Sequence, residues 1–254
     1  MYFIQDPAFY AIAVPAVVLS GISKGGFSGV GGMAVPLLSL VIAAPQAVAI
    51  MLPILLLADS FGLVTFRGKV DWNILKVALP AGLVGTLIGW LLFATVNPNW
   101  VKALLGIESV LFASQKLLQG QAAWTGSGLA LNKAKASFFS VLGGFASFIS
   151  HSGGPPMMHF LLPLKLDKMV LAGTMAWFFA AINFSKLVPY SNLGLLTFKE
   201  LGTSLVLLPL IPFGYWLGYQ MLKKISPAGF VRTMSVLLLL TGCKLLWDAG
   251  RALL

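Results

Sequence analysis

Gly21-Ile22-Ser23-Lys24-Gly25-Gly26-Phe27-Ser28-Gly29-Val30-Gly31-Gly32 holds six glycines in twelve residues and lies between two apolar stretches. Glycine weakens helices and exposes backbone, so this stretch is a poor lipid-facing helix. At membrane depth, unwound backbone persists only where it is buried in protein or lines a watery cavity. A second stretch, Ser150-His151-Ser152-Gly153-Gly154-Pro155-Pro156, interrupts the apolar pattern in the same way. Gly31-Gly32 and Gly153-Gly154 stand 122 positions apart. Pro80, Gly85, Gly89 and Pro98 return 129 positions later as Pro209, Gly214, Gly218 and Pro227. A repeated unit whose opening helix pair is broken by glycine is the pattern of a two-fold pseudosymmetric transporter.

The composition places that unit in a membrane. Of 254 residues, 58% are hydrophobic and 9% charged, with a mean hydropathy of +0.92. Globular domains carry roughly 25% charged residues. Long apolar runs with short polar gaps predict a polytopic helical protein, and barrel-type alternation is absent. The net charge of +10 is spread singly or in pairs at helix ends, as topology signals and headgroup contacts would be. No basic run is interleaved with aromatics, so nucleic acid is not expected as a partner; a lipid bilayer and a small anion are. Cys243, the single cysteine, can make no intrachain disulfide. The opening MYFIQDP predicts no cleavable leader.

Apolar segments are read at about 8–23, 32–44, 46–66, 73–95 and 99–118, then at about 137–150, 155–166, 169–190, 198–222 and 228–250. The last three of each half are long enough to cross roughly 30 Å of hydrocarbon. The first two of each half are shorter and read as a helix, a break and a helix. The fold class expected is all-α integral membrane, with two inverted repeats over 1–118 and 136–254 joined by a polar linker at 119–135. Each repeat is a broken or re-entrant hairpin plus three transmembrane helices. Arg67 and Lys69, Lys116, Lys133 and Lys135, and Lys223 and Lys224 mark the cytoplasmic side, leaving the uncharged loop 96–99 outside. Equivalent loops 96–99 and 224–227 then lie on opposite sides, as an odd number of crossings per half requires.

The two breaks are the candidate anion site. Helices restarting after them would aim free amides and positive dipole ends at the break. Lys24, Gly25, Gly26, Phe27, Ser28, Gly31 and Gly32 would meet Ser150, His151, Ser152, Gly153 and Gly154 near the midplane, with Lys24 and His151 selecting an anion. Alternatively the glycines merely permit close helix packing. Asn183 and Lys186, three apart on one helix face, could line the pathway, or Lys186 could snorkel to the interface. Asp59, Glu108 and His151 are candidates for proton coupling, and either acid could instead neutralise Lys24. His159 and the tryptophans, Trp72, Trp90, Trp100, Trp177, Trp216 and Trp247, read as packing or interfacial belt. No catalytic set, metal-ligand spacing or P-loop is visible, so neither an enzyme nor a cofactor or metal site is expected. A passive anion channel, or a membrane enzyme or maturation factor using Cys243 on a sulfur compound, are the alternatives.

Lys24-Gly25-Gly26-Phe27, followed by Gly31-Gly32 and Ala34-Val35-Pro36-Leu37-Leu38, resembles the first-half motif of the TauE/SafE sulfite exporter family of bacterial inner-membrane permeases. His151-Ser152-Gly153-Gly154-Pro155-Pro156 is similar to its second-half motif, with Ser152 where alanine is commoner. Leu166-Asp167-Lys168, Trp177-Phe178-Phe179 and Asn183 through Tyr190 extend the likeness over essentially the whole chain. The resemblance implies a multi-pass inner-membrane permease for sulfur-containing or organic anions: sulfite, thiosulfate, sulfonates, sulfoacetate, or carboxylates in some branches.

Overall fold

A computed structural model describes residues 3–26, 32, 34–39, 41–93, 97–119, 128–224 and 226–253. All regular structure among them is helical: α1 (Pro7–Lys24), α2 (Ala34–Leu38), α3 (Ala44–Thr65), α4 (Trp72–Leu92), α5 (Pro98–Gln119), α6 (Lys133–Ser150), α7 (Gly154–Leu161), α8 (Lys168–Ser185), α9 (Leu187–Asn192), α10 (Phe198–Leu207), α11 (Leu210–Lys224) and α12 (Pro227–Leu253). A 3-10 turn at Leu162–Leu164 extends α7. Polar residues start several helices by accepting from first-turn amides. Asp6 accepts from Ala8 N, Asp71 from Asn73 N and Ile74 N, Asn132 from Lys135 N, and Asp167 from Met169 N and Val170 N. Such caps satisfy donors that the helix cannot.

Among the described residues, four helical segments are long and apolar enough to cross a membrane: Pro7–Lys24, Ala44–Thr65, Trp72–Leu92 and Lys168–Asn192. The pair α10 and α11 makes a fifth if its 50° bend is one span. The expected single span at 198–222 is therefore interrupted, at Leu208–Pro209, where proline has no amide to continue the ladder. The expected segment 169–190 is likewise divided at Lys186. Pro189 cannot donate to Ser185, and the Lys186 amide instead bonds Asn183 O. Segments 32–44 and 155–166 are shorter as helices than their apolar length suggests. At 1.5 Å per residue, α2 and α7 rise about 8 Å and about 12 Å, so neither crosses a bilayer.

The centre of the protein is α3 packed on α8. Within their apolar windows, 61% of α3 and 56% of the α8–α9 segment is buried, against 39% for α1 and for α4. Around this pair, α1 packs along α11, α4 along α6, and α5 along α12. Small residues sit where helices cross, as membrane helices favour. On α4, Gly82, Gly85 and Gly89 are buried, while Leu83, Leu87 and Leu91 are exposed on the other side. A Cβ on Gly85 would fall 2.0 Å from Val141 O of α6. A Cβ on Gly214 would fall 2.5 Å from Val18 O of α1. The glycines that repeat in the sequence thus mark where helix backbones cross.

Trp72, Trp100, Trp216 and Trp247 are exposed. Trp177 is half-buried and stacks edgewise on Trp72, and His159 packs against the ring of Phe139.

Candidate functional site

Side chains from both breaks and from the central helix pair join in one hydrogen-bonded chain. Lys24, the last residue of α1, donates to Asp59 Oδ1 of α3 at 2.6 Å. Asp59 Oδ2 accepts from Asn183 Nδ2 of α8 at 2.6 Å. Asn183 Oδ1 accepts in turn from Lys186 Nζ at 2.9 Å. Lys186 also donates to Ser147 O at 2.6 Å and Ser147 Oγ at 2.8 Å, and lies 3.0 Å from His151 Nδ1. His151 Nε2 lies 3.0 Å from the Val48 carbonyl oxygen. A carbonyl can only accept, so these partners assign the ring proton to Nε2 and leave Nδ1 to receive from the lysine.

Lys186 is fully buried, which rules out the snorkelling alternative. Its position follows from the end of α6. Carbonyls in the last turn of a helix have no intrahelical donor. His151 closes α6 in the left-handed conformation (φ 54°). Ser147 O keeps the His151 amide at 3.1 Å and takes Lys186 as a second donor, while Phe148 O accepts at 2.6 Å from the hydroxyl of Tyr190, one turn further along. A cation at a helix C-terminus also opposes the negative dipole end. Of this pair, sequence reasoning singled out Lys186 and had Tyr190 only within the family resemblance.

A cavity of ≈ 50 Å³ opens beside this chain. Since a water needs roughly 10–15 Å³ on the same measure, the cavity suits a group of a few heavy atoms. Lys24, Gly32, His151, Gly154 and Asn183, all anticipated, line it together with Ser20, Ser23, Ser147 and Phe179. The three serines were missed, although Ser20 and Ser23 lie within one turn of Lys24 on α1. The Lys24 ammonium also stands 4.9 Å from the centre of the Phe179 ring. Ser20 Oγ is buried without a hydrogen-bond partner among the described residues.

The two breaks touch. Ser152 Oγ donates to Gly32 O, with Ser150 O as a second acceptor, each at 3.3 Å. Ser150 Oγ turns back to Ala146 O. Gly25 and Gly26 pack against α11 rather than the cavity; added Cβ atoms would sit 2.4 Å from Tyr215 O and from a Leu222 methyl. Gly153 packs on Gly143 O. Phe27, Ser28 and Gly31, and the side chain of Glu108 on α5, lie outside the described residues. At the start of α7, Pro155 and Pro156 carry no amide hydrogen, so Gly154 is the main-chain donor of the first positions. Donors at the cavity are therefore mostly side chains, where the sequence had suggested amides. Cys243 is on α12 and does not line the cavity. Among the described residues, no group of three His, Cys, Asp or Glu could hold a metal ion.

Apolar crossing helices around a buried, charged cavity are the organisation of a multi-pass membrane transporter. The chain belongs to the sulfite exporter TauE/SafE family, whose model matches residues 13–245. That is a family of transporters, so the chain is a transporter and not an enzyme. No curated protein and no solved structure matches it.

Proposed function

We propose that this transporter carries small sulfur-containing or organic anions, of the sulfite, thiosulfate, sulfonate and sulfoacetate class, across the bacterial inner membrane by alternating access. The observation that carries the reading is the cavity at the junction of the two breaks, with Lys24 on its wall. Lys24 and Lys186 stand against Asp59 alone among the described residues of the network, and His151 is neutral in the tautomer assigned above. Basic side chains thus outnumber the carboxylate in the cluster, a balance that suits a small anion beside Lys24. Lys24, Ser20, Ser147, Asn183 and His151 supply donors from different helices, with Gly32 and Gly154 allowing close approach.

Residues 1–118 and 136–254 act in this proposal as inverted repeats joined at 119–135. Support comes from the helix pairing. Exchanging α1 with α6, α4 with α10–α11, α3 with α8 and α5 with α12 interchanges the pairs α1–α11 and α4–α6 and maps α3–α8 and α5–α12 onto themselves. The contacts of Gly85 with Val141 and of Gly214 with Val18 obey the same exchange. Rocking of the halves about the cavity would then open it to either side. Asp59 and His151, in one network with the Lys24 ammonium, are the groups through which a proton would be coupled, with Glu108 as the other candidate.

Sulfite counterflow into proteoliposomes tests the reading. Saturable exchange is expected, and single-channel current with no counterflow would make the protein a channel. Imposing a pH gradient alters the rate if protons are coupled. The variant K24A is expected to bind sulfite at least several-fold more weakly; unchanged affinity would remove Lys24 from the site.

A further inference from the structure

The cation best placed to hold an anion already holds one. Asp59 is buried within α3, and both its carboxylate oxygens are engaged, Oδ1 by Lys24 and Oδ2 by Asn183. Lys24 differs from its partner in exposure: its side chain retains 16% against 2% for Asp59, and it lines the cavity. An ammonium has three protons to donate, and the described hydrogen bond of Lys24 uses one. One turn earlier on the same helix, Ser20 Oγ lines the same cavity, fully buried and without a partner among the described residues. Native proteins rarely leave a buried hydroxyl unserved, so Ser20 together with Lys24 marks a place for an acceptor-rich group. An oxyanion presents such acceptors, and Asp59 presents the same chemistry on a tether.

We infer that Asp59 is a tethered competitor for the transported anion: its carboxylate occupies the Lys24 ammonium that an incoming oxyanion takes, and binding exchanges one for the other. The inference rests on the anion-transport reading of this cavity. On exchange, Lys24 and Ser20 hold the substrate. Asp59 keeps its bond from Asn183, whose amide oxygen is held by Lys186, so the displaced carboxylate retains a fixed donor. Release runs the same exchange backwards. A lone buried lysine would bind small anions and give them up slowly, whereas a competing carboxylate holds the ammonium once the substrate leaves. The device gives the site moderate affinity by construction, which a carrier that must unload needs.

Isothermal titration of sodium sulfite into the 254-residue chain purified in detergent tests the exchange, at fixed pH and ionic strength. The variants are D59N, D59S, K24A and the double variant K24A/D59N. Competition predicts that D59N binds sulfite about tenfold more tightly than the unaltered protein, the order carried by one charge-assisted hydrogen bond. K24A should bind about tenfold more weakly, and the double variant should match K24A, because Asp59 acts only through Lys24. D59S removes the same charge and carries the same expectation where D59N does not fold. If the pair is merely structural, removing either partner weakens binding. Weaker or unchanged affinity in the aspartate variants, or failure of both to fold, overturns the competition while leaving the anion site standing. If the folded, unaltered protein binds no sulfite, the anion-transport reading fails first and the inference goes with it.

Discussion

Gly144 of α6 and Gly82 of α4 meet backbone to backbone: a Cβ added to Gly144 would lie 1.9 Å from the Gly82 carbonyl oxygen. Nothing in that contact can yield by rotating a side chain, so the helices themselves would have to separate. Gly144→Ala is expected to lower the thermal stability of the purified protein by about 1–3 kcal/mol, the range of overpacking. Gly250→Ala on α12, with nothing within 4 Å of the added methyl, should be neutral or slightly stabilising. Equal melting temperatures for the two variants would contradict this account of the crossing.

Tyr190→Phe removes the hydroxyl that donates to Phe148 O at 2.6 Å. The ring still fits, so the change isolates one hydrogen bond. Leaving a buried carbonyl without its donor costs about 1–3 kcal/mol, read as a lower melting temperature. A variant as stable as the parent would mean that another donor serves the end of α6.

Lys186→Met keeps the apolar stem but strips donors from Ser147 and Asn183. Roughly 2–4 kcal/mol of stability should be lost, since buried acceptors are left unmatched. Lys186→Arg should not restore it, because a planar fork cannot replace a compact ammonium among these partners. Full recovery by arginine would show that charge alone matters at this position.

Ser20→Ala separates ligand binding from packing. Ser20 Oγ has no partner among the described residues, so stability should hold or rise slightly, while sulfite affinity falls several-fold. Lower stability with unaltered sulfite affinity would assign the hydroxyl to the scaffold.

Ser152→Ala breaks two long bonds of 3.3 Å, to Gly32 O and Ser150 O. Bonds of that length are at the weak end of the range, so less than about 1 kcal/mol should be lost. A large fall in melting temperature would make this hydroxyl the clasp between the two breaks.

Much of the arrangement was legible as pattern. Glycine and proline report on backbone, and their effects act within one turn, so the interruptions at Gly25–Gly32 and Ser150–Gly154 could be located from residue types alone. The recurrence of Gly85 and Gly89 as Gly214 and Gly218 was legible too, although its cause, helix crossings with almost no room for a Cβ, was not. Pro209 was visible as a repeated residue; that it bends α10 against α11 by 50° while Pro80 stays inside a continuous α4 was not. The difference depends on neighbours that hold one helix straight and let the other turn.

The amino-acid order was enough to establish a helical membrane protein with paired glycine interruptions and cations beside them, because hydrophobic length and backbone freedom are local quantities. It left Asp59 with two open roles and Lys186 with two. Folding brought Asp59 against Lys24 and Asn183, 35 and 124 positions away, and buried Lys186 under the last turn of α6. Which charge meets which acceptor is set by helix crossings among distant segments. In a medium that penalises every unpaired polar group, those meetings determine whether a charge serves the scaffold or faces the cavity.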